Sequence, residues 1–323
     1  MEIAKVQFNQ NKIQPNLSYN IYRTVKPTPT VKALPYDKFE RTIPVTNSTH
    51  TIQFTGLREK LFTSFLRHTS YNRSIRGSKR PYIPLSKEMK DITQEIQIPV
   101  TKKESINALD INPNNSKNYI IFLHGFSHNI TSNQPLYKSL SKSNYGILAI
   151  DYRGYGKNPK SKNIKEQDII QDIESSIGYL KRKGVDNIGL VGHSFGGYLA
   201  AKISDFHNIA FQVLVAPLIS LEFWLKNVLK HPKKYSGEMK MIKYIPGIKE
   251  QYSKIFNITK YLELNPTPTY IVQSKQDRYI RTNKITELTK IIPNLKKYII
   301  IPTGGHRMDE NKIKTITQIV KDL

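Results

Sequence analysis

The stretch Asn187-Ile188-Gly189-Leu190-Val191-Gly192-His193-Ser194-Phe195-Gly196-Gly197 decides the fold. Its first part, Asn187–Gly192, is apolar and reads as a buried strand. The segment that follows, Gly196–Phe206, reads as a helix. Ser194 stands between them, with small residues two places before and two places after. Small residues there let the chain turn sharply. Such a turn lifts the serine Oγ above the sheet edge at the start of a helix. The N–H groups that follow then point at the space above Oγ, where the helix dipole favours developing negative charge. The bland alternative is a Gly-rich strand–helix turn in any α/β protein.

Outward from this turn, strands and helices alternate. Gln94–Thr101 and Glu104–Ile111 read as a hairpin, and Asn118–Phe122 and Tyr145–Ile150 as continuous apolar runs, the pattern of fully buried strands. Gln134–Ser143 is a short helix. Lys165–Lys183 is the clearest one, with Ile169, Ile170, Ile173, Ile177 and Leu180 on one face and Gly184 placed to end it. Beyond Phe211–Val215 come strand Thr269–Gln273, helix Thr282–Ile292, strand Lys297–Ile301 and helix Glu310–Leu323. This order calls for a mostly parallel sheet covered on both faces. No Gly-x-Gly-x-x-Gly follows a first strand, which argues against a dinucleotide site.

A serine hydroxyl is a poor nucleophile near neutral pH; it needs a base, and the base needs an orienting acid. His306, in Thr303-Gly304-Gly305-His306, lies just past the last strand, where two glycines free the loop to aim the imidazole back over the sheet. Asp277 lies just past the preceding strand. Ser194, Asp277 and His306 therefore all project from the carboxyl ends of parallel strands, where open sheets place their sites. Alone, Asp277 would be a turn residue or helix cap, and His306 a surface histidine. His124-Gly125-Phe126 ends another strand, and its loop offers a second backbone donor, the Phe126 N–H, beside that of Phe195. Two such donors would hold a tetrahedral oxyanion. Asp151-Tyr152-Arg153-Gly154-Tyr155-Gly156 reads as structural, with Asp151 and Arg153 tying neighbouring loops. His193 reads as packing or hydrogen bonding rather than as a base; with Phe126 and Trp224 it is expected near the substrate. His124 and His128 are four apart on a loop, not a helix, so no metal site is read there.

These ordered motifs resemble the α/β-hydrolase superfamily of serine hydrolases, and are similar to its lysophospholipase, monoacylglycerol-lipase and acyl-thioesterase branches. The resemblance covers roughly residues 92–323. It implies an α/β-hydrolase domain over 88–323, a helical cap at about 218–265, and an extension over 1–87 that packs partly on the core. Serine at the turn argues against dehalogenases, which use Asp there. The implied activity is hydrolysis of a carboxylic ester or thioester with a lipid-like acyl group, through a Ser-His-Asp triad and an acyl-enzyme, with no cofactor or metal. An acyltransferase with the same triad and a non-catalytic binding protein are the alternatives.

Composition sets outer bounds. The chain has 323 residues, is 38% hydrophobic and contains no cysteine. That excludes disulfides, thiolate metal sites and a cysteine nucleophile. The net charge of +25 suggests a polyanionic partner. Yet residues 1–110 and 111–323 are almost equally basic per residue, and Lys dominates over Arg, as an AT-rich genome would give. Nucleic acid is therefore not expected. In the cap, Leu221, Phe223, Trp224 and Leu225 are followed by Lys226, Lys230, Lys233 and Lys234, a pattern suited to an acyl chain with an anionic head group. The stripe Leu57, Leu61, Phe62, Phe65 and Leu66 is expected to dock the extension onto the main domain, with an anionic membrane surface as the alternative. The start lacks the apolar core of a signal peptide. The expectation is a soluble cytoplasmic protein, with export lacking a cleavable signal left open.

Overall fold

The computed structural model describes residues 82–126, 128–159, 164–220 and 256–323, together with the backbone of 20–21. Most of the extension, including the Leu57–Arg67 stripe, lies outside the described residues, as do Trp224 and most of the cap.

The described chain forms one sheet. Its strands are β1 (Asn20–Ile21), β2 (Thr93–Pro99), β3 (Ser105–Ile111), β4 (Asn118–Leu123), β5 (Gly146–Ile150), β6 (Asn187–His193), β7 (Phe211–Val215), β8 (Thr269–Ser274) and β9 (Leu295–Ile301). Their spatial order is β1-β9-β8-β7-β6-β4-β5-β3-β2. From β5 to β9 every neighbouring pair is parallel. The β2–β3 hairpin joins β5 antiparallel, and β1 pairs antiparallel with β9 at the other edge. Helices α1 (Lys87–Asp91), α2 (Gln134–Leu140), α3 (Glu166–Arg182), α4 (Phe195–Phe206), α5 (Thr259–Leu262), α6 (Thr282–Thr289) and α7 (Glu310–Lys321) complete it. Apart from the helical cap, which lies mostly outside the described residues, each strand and helix expected after residue 90 is present, with ends shifted by a few residues.

The apolar runs form central strands because both faces are covered. β4, β5 and β7 carry side chains into two separate cores. Ile121, Leu123, Leu148, Ile150 and Leu214 pack under α3 and α4. Their alternates Ile120, Phe122, Ile147, Ala149 and Val213 pack under α2 and α7. The period-2 alternation of strand side chains makes this division automatic. β4 is followed in sequence by β5 on one side, while β6 lies on its other side. The chain direction across the sheet thus reverses at the β4–β6 boundary. Open α/β sheets bind ligands at the carboxyl ends of strands beside such a reversal.

Candidate active site

At that boundary the turn between β6 and α4 is tight enough to strain its central residue. Ser194 has φ 56° and ψ −113°, a conformation costing about 1–3 kcal/mol in a residue with a side chain. The flanking glycines are steric requirements. A Cβ on Gly192 would overlap the Gly196 carbonyl, and one on Gly196 would overlap the Leu123 carbonyl at the end of β4. The Ser194 carbonyl accepts from the N–H groups of Gly197, Tyr198 and Leu218, which fixes the turn.

Three residues distant in sequence meet at this turn. The Nε2 of His306 lies 2.9 Å from Ser194 Oγ. Its Nδ1 lies 2.8 Å from Asp277 Oδ2. Because a carboxylate only accepts, Nδ1 carries the proton and the Nε2 of the neutral ring faces Oγ as an acceptor. The other Asp277 oxygen accepts from the N–H groups of Tyr279 and Ile280, at 2.8 and 2.9 Å. Burial pushes the Asp277 carboxyl up. The His306 contact and the two amides outweigh it and hold the group below the usual aspartate range, so it is ionised at neutral pH. The Asp277 side chain is buried, while the His306 ring retains 19% of its exposure at the mouth.

The loop carrying His306 contains two glycines and is held by buried donors. His193 Nε2 lies 2.7 Å from the His306 carbonyl. Burial, reinforced by the neighbouring His306, pushes the His193 imidazole down to about 3. It is therefore neutral, and Nε2 carries the proton that faces the carbonyl. Lys312 on α7 is fully buried and donates to the preceding carbonyl, that of Gly305, at 2.8 Å. It also pairs with Asp309 at 2.7 Å. His193, read from sequence as a packing or hydrogen-bonding residue and also placed near the substrate, has a buried ring that braces the backbone behind His306. Lys312 escaped the sequence reading, although its spacing with Ile316, Ile319 and Val320 sets a lysine on the buried face of α7.

The His124-Gly125-Phe126 loop passes directly beside the turn. A Cβ on Gly125 would sit 3.4 Å from Ser194 Cβ. The Phe126 and Phe195 rings stack with centroids 3.9 Å apart and planes 12° apart. Phe256 meets both rings edge-on. The two residues expected to supply oxyanion donors are thus coupled through their side chains. Phe195 is the first residue of α4, where helix amides have no partner four residues back. Behind this loop, Asp151 Oδ1 accepts from the Ile130 N–H at 2.8 Å. Arg153 binds Asp172 on α3 through Nε and Nη2, at 3.0 and 2.8 Å. Asp151 ties its loop to the neighbouring one, as expected, whereas these Arg153 bonds anchor the loop to helix α3.

Residues 114–252 match the model of the serine aminopeptidase S33 hydrolase family. That stretch contains Phe126 and Ser194 but ends before Asp277 and His306. Among curated proteins, an uncharacterized protein of Escherichia coli K12, YfhR, is 26% identical over 192 residues, 58% of this chain and 62% of that one. A carboxylesterase of Bacillus subtilis is 25% identical over 182 residues, 50% of this chain and 73% of that one. A Mycoplasma pneumoniae protein bearing an esterase/lipase name is aligned over only 42% of its own length. The alignments thus span 42%, 62% and 73% of the Mycoplasma, Escherichia and Bacillus relatives' own lengths. Among solved structures, the Pyrococcus furiosus esterase Pf2001 superposes with a TM-score of 0.60 at 20% identity, covering 75% of this chain and 94% of that one. Est1E from Butyrivibrio proteoclasticus, solved with ferulic acid, gives 0.56 at 18% identity over 70% and 96%. These two likenesses concern the fold. With the strand order of the sheet, they show that this chain has the α/β-hydrolase fold.

Proposed function

We propose that this chain is a serine esterase, cleaving a carboxylic ester or thioester through an acyl-enzyme. Ser194 Oγ attacks the carbonyl carbon while its proton passes to His306 Nε2. The proton on Nδ1 stays with the ring, and ionised Asp277 stabilises the imidazolium that forms. The carbonyl oxygen, now an anion, is received by the N–H groups of Phe126 and Phe195. Collapse expels the alcohol or thiol, which takes the proton from Nε2. Water then enters, is activated by the same nitrogen, and releases the acid. The backbone supplies the oxyanion donors, so side-chain replacement at 126 or 195 would act only by moving the loops.

The observation that carries this reading is the imidazole of His306, placed 2.9 Å from Ser194 Oγ and 2.8 Å from Asp277 Oδ2. The strained φ of Ser194 supports it, because strain at a half-buried serine between a strand and a helix brings no packing benefit of its own. The names of the carboxylesterase relative and of the superposed esterases point to the same chemistry. The acyl group is proposed to lie toward the cap, beside the Phe126–Phe195 stack.

The test is labelling by a fluorophosphonate probe and release of nitrophenol from esters of rising acyl length, with a matched acyl thioester alongside. Wild type is expected to label and turn over. Ser194→Ala is expected to do neither, with kcat/KM down at least about 10⁴-fold. Equal turnover by Ser194→Ala would overturn the assignment. Acyl transfer to an added alcohol at the expense of the free acid would convert it to a transferase.

A further inference from the structure

The loops that position Asp277 and His306 also carry positive charge into the mouth of the site. Lys275, Arg278, Tyr279 and His306 line an open cavity of about 710 Å³ with Asp277 at its floor. Asp277 is the one acid among these lining residues, and both its oxygens are already engaged by His306 and by two amides. Lys275 and Arg278 are exposed, and neither pairs with an acid among the described residues. Acids just beyond the cavity are also taken: Asp309 pairs with Lys312 and Glu310 with Lys314, at 2.7 and 2.8 Å. Among the described residues, the cleft therefore holds two cations and no carboxylate free to compensate them. Tyr279 is 58% exposed and its ring centroid lies 5.3 Å from that of His306. It offers an aromatic surface beside the His306 ring, in the cavity that Lys275 and Arg278 also line.

The direction of the reaction says which part of a substrate this cleft would meet. The oxyanion faces the Phe126–Phe195 side of Ser194. The leaving oxygen must come within reach of His306 Nε2, which protonates it. The alcohol portion therefore extends past His306, toward Tyr279, Arg278 and Lys275. We propose that this cleft is an anion subsite, selecting esters whose alcohol portion carries a carboxylate or phosphate. The guanidinium of Arg278 suits the two oxygens of such a group, and the Lys275 ammonium acts as a point charge beside it. This inference rests on the esterase reading above.

The test uses soluble acetate esters matched in shape: 4-acetoxybenzoate, anionic, and 4-acetoxybenzamide, neutral. Wild type is expected to show kcat/KM about tenfold higher for the anion, with the preference shrinking as salt rises. In Lys275→Glu/Arg278→Glu the ratio is expected to fall below one. Lys275→Gln/Arg278→Gln, which adds no repulsion, should bring it near one. Thermal unfolding of each variant checks that it is folded. A second arm presents an acylglycerol phosphate in phosphatidylcholine vesicles, against the uncharged acylglycerol. Preference in the soluble arm assigns a free anionic ester; preference in the vesicle arm alone assigns a lipid head group; either supports the subsite. A ratio at or below one for wild type in both arms overturns the subsite and leaves the esterase reading standing. Hydrolysis of none of the esters sinks the esterase reading instead.

Discussion

Replacing His193 with phenylalanine should slow the chemistry without touching any group that reacts. The ring volume is nearly kept, but the N–H that meets the His306 carbonyl at 2.7 Å is lost. That carbonyl is part-buried, and an acceptor left unsatisfied away from water costs about 1–3 kcal/mol. The peptide after His306 can avoid this cost by rotating toward another donor. The imidazole turns with it, away from the 2.8 and 2.9 Å contacts that align it. Recovering the aligned state then adds the same free energy to the barrier. At about 1.4 kcal/mol per decade, kcat falls roughly 5- to 150-fold. KM for a small nitrophenyl ester should stay within about threefold, and the rate of fluorophosphonate labelling should fall in step with kcat. His193→Gln, whose amide can still donate, should recover part of the loss. A His193→Phe enzyme with kcat within twofold of wild type would refute the reasoning. A fall in thermal stability with kcat preserved would reduce His193 to a packing residue.

Two further outcomes follow from close approach and from burial. Gly196→Ala should lose about 3 kcal/mol of stability and nearly all activity, because its Cβ would strike the Leu123 carbonyl, whereas Gly305→Ala meets nothing within 4 Å and should unfold within about 1 kcal/mol of wild type. Chemical unfolding of the two variants side by side makes the comparison. His124 and His193 are pushed down by burial to about 4 and about 3, so the stability they contribute is present above pH 6.5 and is lost as pH falls toward those values. Asp151 works in the opposite sense: burial raises it to about 7, so its folded form keeps a proton that the unfolded chain releases near 3.8, and stability from this group falls as pH rises from 4 to 7. Asp151→Asn keeps an acceptor for the Ile130 N–H but removes that titration. Its unfolding free energy relative to wild type should therefore rise across pH 4–7, by up to about 4 kcal/mol; a flat difference would show that Asp151 is ionised throughout.

Much of this architecture was legible because the same residues serve packing and chemistry. The runs Asn118–Phe122 and Phe211–Val215 can only be strands buried on both faces. Once they are strands, Ser194, Asp277 and His306 each fall one to five residues past a strand end. What was hidden acts through geometry with no pattern in sequence. The stacking of Phe126 on Phe195 joins residues 69 positions apart, and only the β4–β6 pairing brings them together. Helix α1, five residues long, is too short for periodicity and is marked only by the Ser86 cap. Strand β1 has two residues and no alternation to read. His193 reads from sequence as a packing or hydrogen-bonding residue beside the serine, and the sequence does not say which backbone group it meets. Residues on either side of a tight turn point in different directions, and His193 points inward to the His306 carbonyl.

The loop after β9 shows why the buried donors are needed. Gly304 and Gly305 let the chain place an imidazole over the sheet, and the same freedom would let it leave. Fixing Gly304–His306 costs about 1–2 kcal/mol per residue, or roughly 3–6 kcal/mol. Three contacts oppose this cost: the charged bonds from His306 to Asp277 and from Lys312 to the Gly305 carbonyl, and the neutral bond from His193 to the His306 carbonyl. At about 1.5–3 kcal/mol for each charged bond and about 1 for the neutral one, they supply roughly 4–7 kcal/mol. The loop is thus held with little to spare, and each brace matters while the others are intact. Lys312→Met, which keeps the stem buried but frees the Gly305 carbonyl, should lower kcat about tenfold. Because the two carbonyls belong to adjacent peptides, a loop already released by one substitution has less to lose from the other. The double variant His193→Phe/Lys312→Met should therefore fall short of the product of the single losses, with a coupling of about 0.5–3 kcal/mol. Losses in kcat that multiply without coupling would mean that the two donors hold independent segments, and that the loop is not braced as a unit.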